Sequence, residues 1–563
     1  MNKIIECVPN FSEGNNMDII KLITNEIETV EHVKLLDVDP GKATNRTVVT
    51  FVGPPEQVCE AAFMAIKKAS QLIDMSKHKG AHPRFGATDV CPLVPVAGIT
   101  MDETIMYAQK LSKRVGNELG IPVYNYEFAA SEDKRRNLAN CRSGEYEGLS
   151  DKLSQPEWKP DFGPEEFNTT VEKTGATAIG ARNFLIAYNI NLNTTSTRRA
   201  NALAFDIREK GRVKREGGKL TGKIVTDNNG NKVYEPGMLK CVKGIGWYIE
   251  EYGIAQLSFN LTDITVTSMH QVFEAASERA AARGMRVTGS ELVGMVPLQA
   301  MLDAGKYFLK KQQRSTGISD DEIIKIAVKS LGLDDLALFN PKKKIIEYLM
   351  EEPGQNKLTN LSLQDFVEDT ASESPAPGGG SISAYMGTLG AALGTMVANL
   401  SAHKRGWDHR WEEFSSWADK GKQYHNELLK MVEEDTRAFN AIMDAIAMPK
   451  NTENEKKIRK GAIESATRYA IEVPLKVMQL CYQSMEVMKV MAETGNPNSI
   501  TDAGVGALAA CAGVKGAFLN VKINAKDCSD PHFVEKALYK GYEIEQKAIK
   551  AEIEIIEFIN QKL

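Results

Sequence analysis

The 563-residue chain is poor in the features that commit a sequence to a special environment or ligand. Its eight cysteines are widely spaced and include no C-x-x-C pair, which argues against structural zinc and against a disulfide framework. Charge of one sign is missing too. The formal net charge is −5 and basic and acidic residues are interleaved, so nothing points to a general nucleic-acid binder. The opening "MNKIIECVPNFSEG" turns polar within a few residues and lacks the apolar core and cleavage pattern of a secretory leader. The longest low-charge run, "SPAPGGGSISAYMGTLGAALGTMVANLSA", is rich in Gly, Ala and Ser and reads as a buried helix rather than a membrane span. That run is no Walker loop, because the closing Gly-Lys-Ser/Thr is absent. "GVGALA" (504–509) matches G-x-G-x-x-A, but no strand precedes it in its Ala-rich setting, so close helix packing explains it better than a dinucleotide. What remains is ordinary globular material, 42% hydrophobic and 25% charged, long enough for several domains. The expectation is a cytoplasmic protein with neither a membrane nor a nucleic acid as partner.

The pattern along the chain changes once. "KIIECVPN", "VKLLDVD", "RTVVTFVG" and "TDVCPLVPV" read as strands, with helices "NMDIIKLITNEIETV" and "PPEQVCEAAFMAIKKASQLIDM" between them, a βαββαβ order. The order returns after residue 178 in "NFLIAYNINL", "TSTRRANALAFDIREKG", "IGWYIEE", "IAQLSFNLT", "SMHQVFEAASERAAARG" and "MRVTGSELVG". "DNNGN", flanked by strand formers, predicts a hairpin insertion between residues 217 and 240. From residue 361 onward the pattern is almost entirely helical. The expected fold is α+β in the N-terminal half, built of two βαββαβ, ferredoxin-like subdomains (1–178 and 179–330), followed by a linker (331–360) and an all-α helical bundle (361–563).

Few stretches carry chemistry. "HKGAHPRFGATDV" holds two of only eight histidines. Pro83 disfavours a helical His82 and places it in an extended loop, where imidazole suits general acid/base work; a loop-packing histidine is the plainer alternative. His78 and His82 make no metal pair, since Gly80 and Pro83 break the helix that an i, i+4 pair needs and no third ligand follows. Arg84 could fork onto a carboxylate. "LLDVDPGKATNRT" offers Asp37, Asp39, Asn45 and Arg46 at a strand-loop-strand junction, and Asn10 follows the first strand as a capping group or a ligand donor. In the helical half, "PAPGGGS" makes an accessible helix start that could receive an anion or a flat ring, or serve as a joint. Glu433, Glu434 and Asp435 are consecutive and must face three directions; one buried among them could shuttle protons, although a solvated acidic face is commoner. Asn520 and Asn524 share a helix face among apolar residues and, if buried, need partners.

Taken together, "ECVPNFSEG", "LIDMSKHKGAHPRFGATDVCP", "DFGPEEF", "GATAIGARNFLIAYNINL" and "GIGWY" resemble glutamate formimidoyltransferase. "SPAPGGGSISA", "EEDTRAFNA", "MPKNTENEK" and "FLNVKIN" look like formimidoyltetrahydrofolate cyclodeaminase. The order is that of the fused formimidoyltransferase-cyclodeaminase family, over nearly the whole chain; the departure is the 217–240 insertion. The resemblance implies transfer of a formimidoyl group from N-formimidoyl-L-glutamate, a product of histidine breakdown, to N5 of tetrahydrofolate. Ring closure to 5,10-methenyltetrahydrofolate with loss of ammonia would follow, a step in one-carbon metabolism. It makes His82 the transferase base, with Asp39 inferred as its orienting partner, and Asp435 the cyclodeaminase acid. Arg46, Arg84 and Arg182 would meet substrate carboxylates, by inference from charge. Asn10 and Asn45 stay candidate binding groups. The segment from Gly163 and Pro164 to Gly175, continuing through Gly180 in "GATAIGAR", would contribute to the folate site. Gly378, Gly379, Gly380 and Ser381, with Asn520 and Asn524, would line the second folate pocket. No redox cofactor or metal is required by the chemistry; polyglutamated tetrahydrofolate is a co-substrate, and a homo-octamer built as a tetramer of dimers is the expected assembly. Two alternatives stay open: a formyl rather than formimidoyl donor, and a helical half that only assembles the transferase.

Overall fold

A computed structural model of the chain describes residues 3–41, 45–79, 84–218, 222–350, 358–374 and 376–563. The chain divides into two compact units, Met1–Ala304 with Val328–Glu352 and Gly305–Ala327 with Pro353–Leu563. The first is a mixed α/β assembly and the second is helical, as the patterning predicts.

The first unit opens with β1 (Ile4–Cys7), β2 (Asn10–Phe11), α1 (Met17–Glu28), β3 (Lys34–Gly41), β4 (Arg46–Gly53), α2 (Pro55–Leu72) and β5 (Thr88–Ala97). β1 and β2 occupy one strand position, each pairing antiparallel with β4 and β5. The break falls at Pro9, which has no N–H to offer a ladder; its carbonyl still accepts from Val49 N at 3.0 Å. The strands run β3–β4–β1/β2–β5, and the sheet continues beyond the predicted elements through α3 (Met101–Leu119), β6 (Val123–Glu127) and β7 (Thr177–Ala181). β7 pairs parallel with β5 and with β6. Alternation along the strands sends Ile5, Cys7, Val49, Phe51, Cys91 and Leu93 into one apolar core. The opposite face carries Glu6, Asn10 and Arg46 among its residues.

A second, four-stranded sheet runs β11–β12–β8–β13, from β8 (Ile186–Leu192), α4 (Thr197–Ile207), β11 (Val242–Ile249), β12 (Ile254–Leu261), α5 (Met269–Ala281) and β13 (Val287–Val293). The predicted hairpin lies between α4 and β11 as β9 (Arg212–Val213) and β10 (Tyr234–Glu235). At its tip Asp227 Oδ1 accepts from Asn229 N (2.9 Å) and Asn231 N (2.8 Å). Two boundaries differ from expectation. Gly305–Ala327, read from sequence as part of the second α+β subdomain, belongs to the helical unit. The stretch read as linker forms short helices at Pro341–Lys344 and Ile346–Leu349, with Ile345 and Ile346 fully buried.

The helical unit packs α6 (Gly379–Ala402), α7 (Trp411–Ala447), α8 (Glu453–Thr494), α9 (Ile500–Asn524) and α10 (Pro531–Asn560) around one core. α6 and the Pro497–Asp527 segment are long and apolar enough to cross a membrane by composition, yet 61% and 56% of those windows are buried against other helices, as in a bundle core. Small residues bring α6 and α9 together: a Cβ on Gly390 would stand 2.6 Å from Gly506 O, and one on Gly506 would stand 2.9 Å from Gly390 O. This close approach is the use of Gly506 in "GVGALA", while Gly504 faces α10, where a Cβ would lie 2.9 Å from Ile559 Cδ1.

Candidate active sites

In the first unit, the loop after β2, the β3–β4 hairpin and the stretch ending at Lys79 are clasped by Asn45. Its Oδ1 accepts from Gly14 N (3.0 Å) and Asn15 Nδ2 (2.8 Å), and its Nδ2 donates to Lys79 O (2.8 Å). Its own carbonyl meets His78 Nε2 at 2.9 Å. Asn45 sits at φ +49, a left-handed conformation that asparagine tolerates better than most side chains. Gly14 is required by the clasp, since a Cβ there would lie 2.4 Å from Gly41 O and 2.5 Å from Arg46 N.

Arg46, at the start of β4, donates from Nε to Asn10 Oδ1 at 2.9 Å and from Nη2 to the same oxygen. Its Nη1 lies 3.7 Å from Asp89 Oδ2, which also accepts from Arg142 Nη2. Burial draws the Arg46 guanidinium below its ordinary pKa, Asp89 opposes that, and Arg142 adds to it. Asp39 stands exposed on edge strand β3, opposite Val48. His82 lies outside the described residues. Arg84, just beyond it, pairs with Glu147, donates to Met75 O at 3.3 Å and stacks 5.5 Å from the Tyr146 ring centre. Its guanidinium therefore fastens the 142–147 loop, which is a different job from the substrate fork expected of it.

The glycines expected at a folate site are sites of close packing. Gly175 (φ +66) abuts Phe85 O, and Gly163 (φ +89) abuts Ile121 O; a Cβ would sit 2.4 Å and 2.3 Å from those oxygens. Gly180 faces Tyr126, whose carbonyl would be 2.3 Å from an added Cβ. Pro164 is half-buried in the turn after Gly163. Arg182, at the end of β7, donates to Asn183 O at 3.0 Å and lies in electrostatic range of Glu6 and Glu127. Glu6 is 6% exposed, and burial pushes its carboxyl up to about 7 against the pull of Arg182.

In the helical unit the three consecutive acids part company. Glu433 accepts from Thr359 N and Oγ1, both at 2.9 Å. Glu434 accepts from Tyr469 Oη and from Arg437 Nη1 (2.8 Å). Asp435 turns to the N-terminus of α6, where Ser381 Oγ donates to its Oδ2 at 3.1 Å. Burial raises the Asp435 pKa, and the Ser381 hydroxyl and backbone N–H counter it in part. A Cβ at Gly380 would fall 2.0 Å from Asp435 Oδ1, so a side chain there would have to displace the carboxylate. Asp435, Gly378, Gly379 and Gly380 line a cavity of about 140 Å3 together with Thr436, Phe439, Asn520 and Asn524. Asn520 donates back to Gly516 O (3.0 Å), and Asn524 donates to Ala470 O at 2.7 Å. That carbonyl is four residues before Pro474 inside α8, so it lacks its intrahelical N–H and Asn524 replaces the donor.

Three family profiles cover this chain. They are described as formiminotransferase domain, N-terminal subdomain (residues 4–182), formiminotransferase domain (187–351) and formiminotransferase-cyclodeaminase (362–541). The formimidoyltransferase-cyclodeaminase of Mus musculus is 44% identical over 97% of this chain and 97% of its own length. The chain belongs to the formimidoyltransferase-cyclodeaminase family. Relatives of its parts exist separately. The glutamate formimidoyltransferase of Streptococcus pyogenes serotype M1 is 38% identical over 55% of this chain and 94% of its own. The methenyltetrahydrofolate cyclohydrolase of Methylorubrum extorquens is 38% identical over 32% of this chain and 86% of its own.

Within this chain, the first profile ends one residue after β7 and the next begins one residue into β8. Of the predicted transferase residues, Asn10 and Arg46 are brought into one cluster, Asn45 clasps the backbone next to Arg46, Arg84 fastens the 142–147 loop, and Gly163, Gly175 and Gly180 are points of close backbone packing. The cyclodeaminase candidates Gly378–Ser381, Asp435, Asn520 and Asn524 converge on one cavity or its wall. Glu6, Asp89 and Arg142 were missed by sequence reasoning. Glu6 and Asp89 had a legible signal, a carboxylate inside an otherwise apolar strand ("KIIECVPN" and "TDVCPLVPV").

Proposed function

We propose that the chain transfers a formimidoyl group from N-formimidoyl-L-glutamate to N5 of tetrahydrofolate, and then cyclises the product to 5,10-methenyltetrahydrofolate with release of ammonia. Asp435 is the observation that carries the second step. Ring closure requires N10 to attack the amidine carbon and the tetrahedral intermediate to expel nitrogen. Ammonia leaves readily only if that nitrogen gains a proton, and a carboxyl whose pKa burial raises is suited to supply it. The N-terminal N–H groups of α6 beside it suit a ligand's acceptor atoms, and the glycines let a flat ring approach the backbone.

In the first step the attacking N5 loses a proton and the departing glutamate nitrogen gains one, and one base can serve both events. The family resemblance gives that role to His82 and orientation to Asp39, with Arg46 and Arg182 toward substrate carboxylates. Gly163–Gly180 then form the folate-side wall of the transferase site, and the two sheets, with their shared β-α-β-β-α-β order, read as ferredoxin-like subdomains. Polyglutamated tetrahydrofolate is the co-substrate of both halves. We read the assembly as a homo-octamer built from dimers; Phe439, Met443 and Ile446, exposed along α7, support contacts between copies. Eight free cysteines support a reducing, cytoplasmic setting.

The test supplies N-formimidoyl-L-glutamate and tetrahydrofolate to the full chain and follows methenyl-folate absorbance with ammonia. Stoichiometric appearance of both is expected. Asp435→Asn should lower cyclisation roughly 10²–10⁴-fold while sparing transfer. Unchanged ammonia release in that variant would remove Asp435 from the mechanism, and turnover of a formyl donor alone would replace the first step.

A further inference from the structure

Arg142 lies in no stretch that the sequence marks as functional, yet its surroundings fix it firmly. It follows the short helix Leu138–Cys141, whose C-terminal carbonyls are gathered by a buried lysine. Lys152 Nζ donates to Cys141 O at 2.6 Å and Asn140 O at 3.1 Å, and sits 4.0 Å from the Trp158 ring centre. On the other side of the loop, Tyr146 N donates to Arg84 O at 2.8 Å, and Arg84 pairs with Glu147. Arg142 is thus presented from a braced loop against the start of β5.

There it meets Arg46. Both guanidiniums converge on one oxygen, Asp89 Oδ2, in an environment that leaves Arg142 14%, Arg46 16% and Asp89 1% exposed. Arg142 Nε is buried and has no acceptor among the described residues. A mostly buried guanidinium with an unused N–H, beside a second guanidinium held to the same carboxylate oxygen, is complementary to a ligand group made only of acceptors, such as a carboxylate.

We propose that Arg142 and Arg46, braced by Asp89, form the cradle for a carboxylate of the glutamate-type donor. This rests on the reading of the first half as a formimidoyltransferase, and adds to it the residue that distinguishes the donor from other amidines. The cradle also sets the donor's polarity. Its amidinium end is cationic and is repelled by the paired guanidiniums, so the carboxylate end enters. Lysine in place of Arg142 would keep the charge beside Asp89 and lose the planar fork.

The experiment compares full-length wild type with Arg142→Lys by calorimetric titration of L-glutamate and by steady-state kinetics in both substrates. The expected result is a Kd for glutamate and a KM for N-formimidoyl-L-glutamate raised roughly ten- to hundredfold, the loss of a charge-assisted fork. The KM for tetrahydrofolate should move by less than about twofold, and cyclisation of supplied 5-formimidoyltetrahydrofolate should be unchanged, which reports an intact chain. A donor whose α- and γ-carboxylates are replaced in turn by carboxamides should lose the advantage of wild type over Arg142→Lys at one of the two positions. Wild-type turnover with an unaltered donor KM in Arg142→Lys, or equal rises in both KM values, overturns the cradle and leaves the transferase reading standing. Glutamate binding that is lost in Arg142→Lys, in a wild type that transfers no formimidoyl group, supports the cradle and overturns the transferase reading.

Discussion

Glu6 is a costly residue to keep where it is. It lies on the central strand position of the first sheet, 6% exposed, and among the described residues nothing hydrogen-bonds its carboxyl. Its pKa rises from 4.5 to about 7. Between those values the folded chain holds a proton that the unfolded chain has released. Stability is therefore fully present below pH 4.5 and is lost as pH rises through about 7. Glu6→Gln removes the titration, so the variant should match wild type near pH 4.5 and exceed it by roughly 3 kcal/mol at pH 8. Urea unfolding followed at the two pH values checks this; a difference independent of pH would mean that Glu6 is ionised in the fold. Such a group is retained where a proton or a charge is needed, and Glu6 shares its sheet face with Asn10, Arg46 and Arg182. The same logic separates Asp435 from its neighbours. Glu433 and Glu434 each meet two donors, whereas among the described residues Asp435 meets Ser381 and has a cavity in front of it.

At the scale of elements, α8 contains its own defect and α9 its repair. Pro474 leaves Ala470 O without a helical donor, and Asn524 Nδ2 takes the vacancy at 2.7 Å. Asn524→Leu should cost about 1–3 kcal/mol by leaving that carbonyl unsatisfied. Pro474→Ala restores an N–H to α8, so in the double variant the Asn524→Leu penalty should largely vanish. A double-mutant cycle by thermal unfolding measures the coupling, and additive penalties would show that the bond contributes nothing. Neither residue could be paired from sequence, because Pro474 and Asn524 sit on different helices and their partnership depends on packing. The periodic elements were legible: alternation in β1, β4 and β5 and the helical spacing of α1 and α2 come from local side-chain chemistry. β6 and β7 were not, since a parallel pair is joined only through a long excursion, residues 128–176, and its small residues ("TAIGA") carry no alternation. The site residues divide in the same way. Asp435 and Gly378–Ser381 announced themselves by type and order, whereas Arg142 acquires its meaning only from Asp89, 53 positions away.

For the whole molecule, the residues proposed for the two chemistries fall in separate compact units. A base lost from one unit should therefore leave the other's turnover intact. His82→Ala is expected to abolish transfer and to cyclise supplied 5-formimidoyltetrahydrofolate at the wild-type rate; Asp435→Asn is expected to do the reverse. Mixing the two purified variants is the stronger test. Each chain then holds one working site, and methenyl-folate can form only if the intermediate leaves one site and finds another. With a freely diffusing intermediate, the mixture should form methenyl-folate after a lag that shortens in proportion to the concentration of the His82→Ala chain. If the intermediate is handed on within one chain or one assembly, wild type shows no lag, and the lag in the mixture lengthens on dilution. A mixture with no product at all, from variants each active in its own half-reaction, would mean that transfer between sites is obligatory and that tetrahydrofolate is committed to one assembly from the first step to the last.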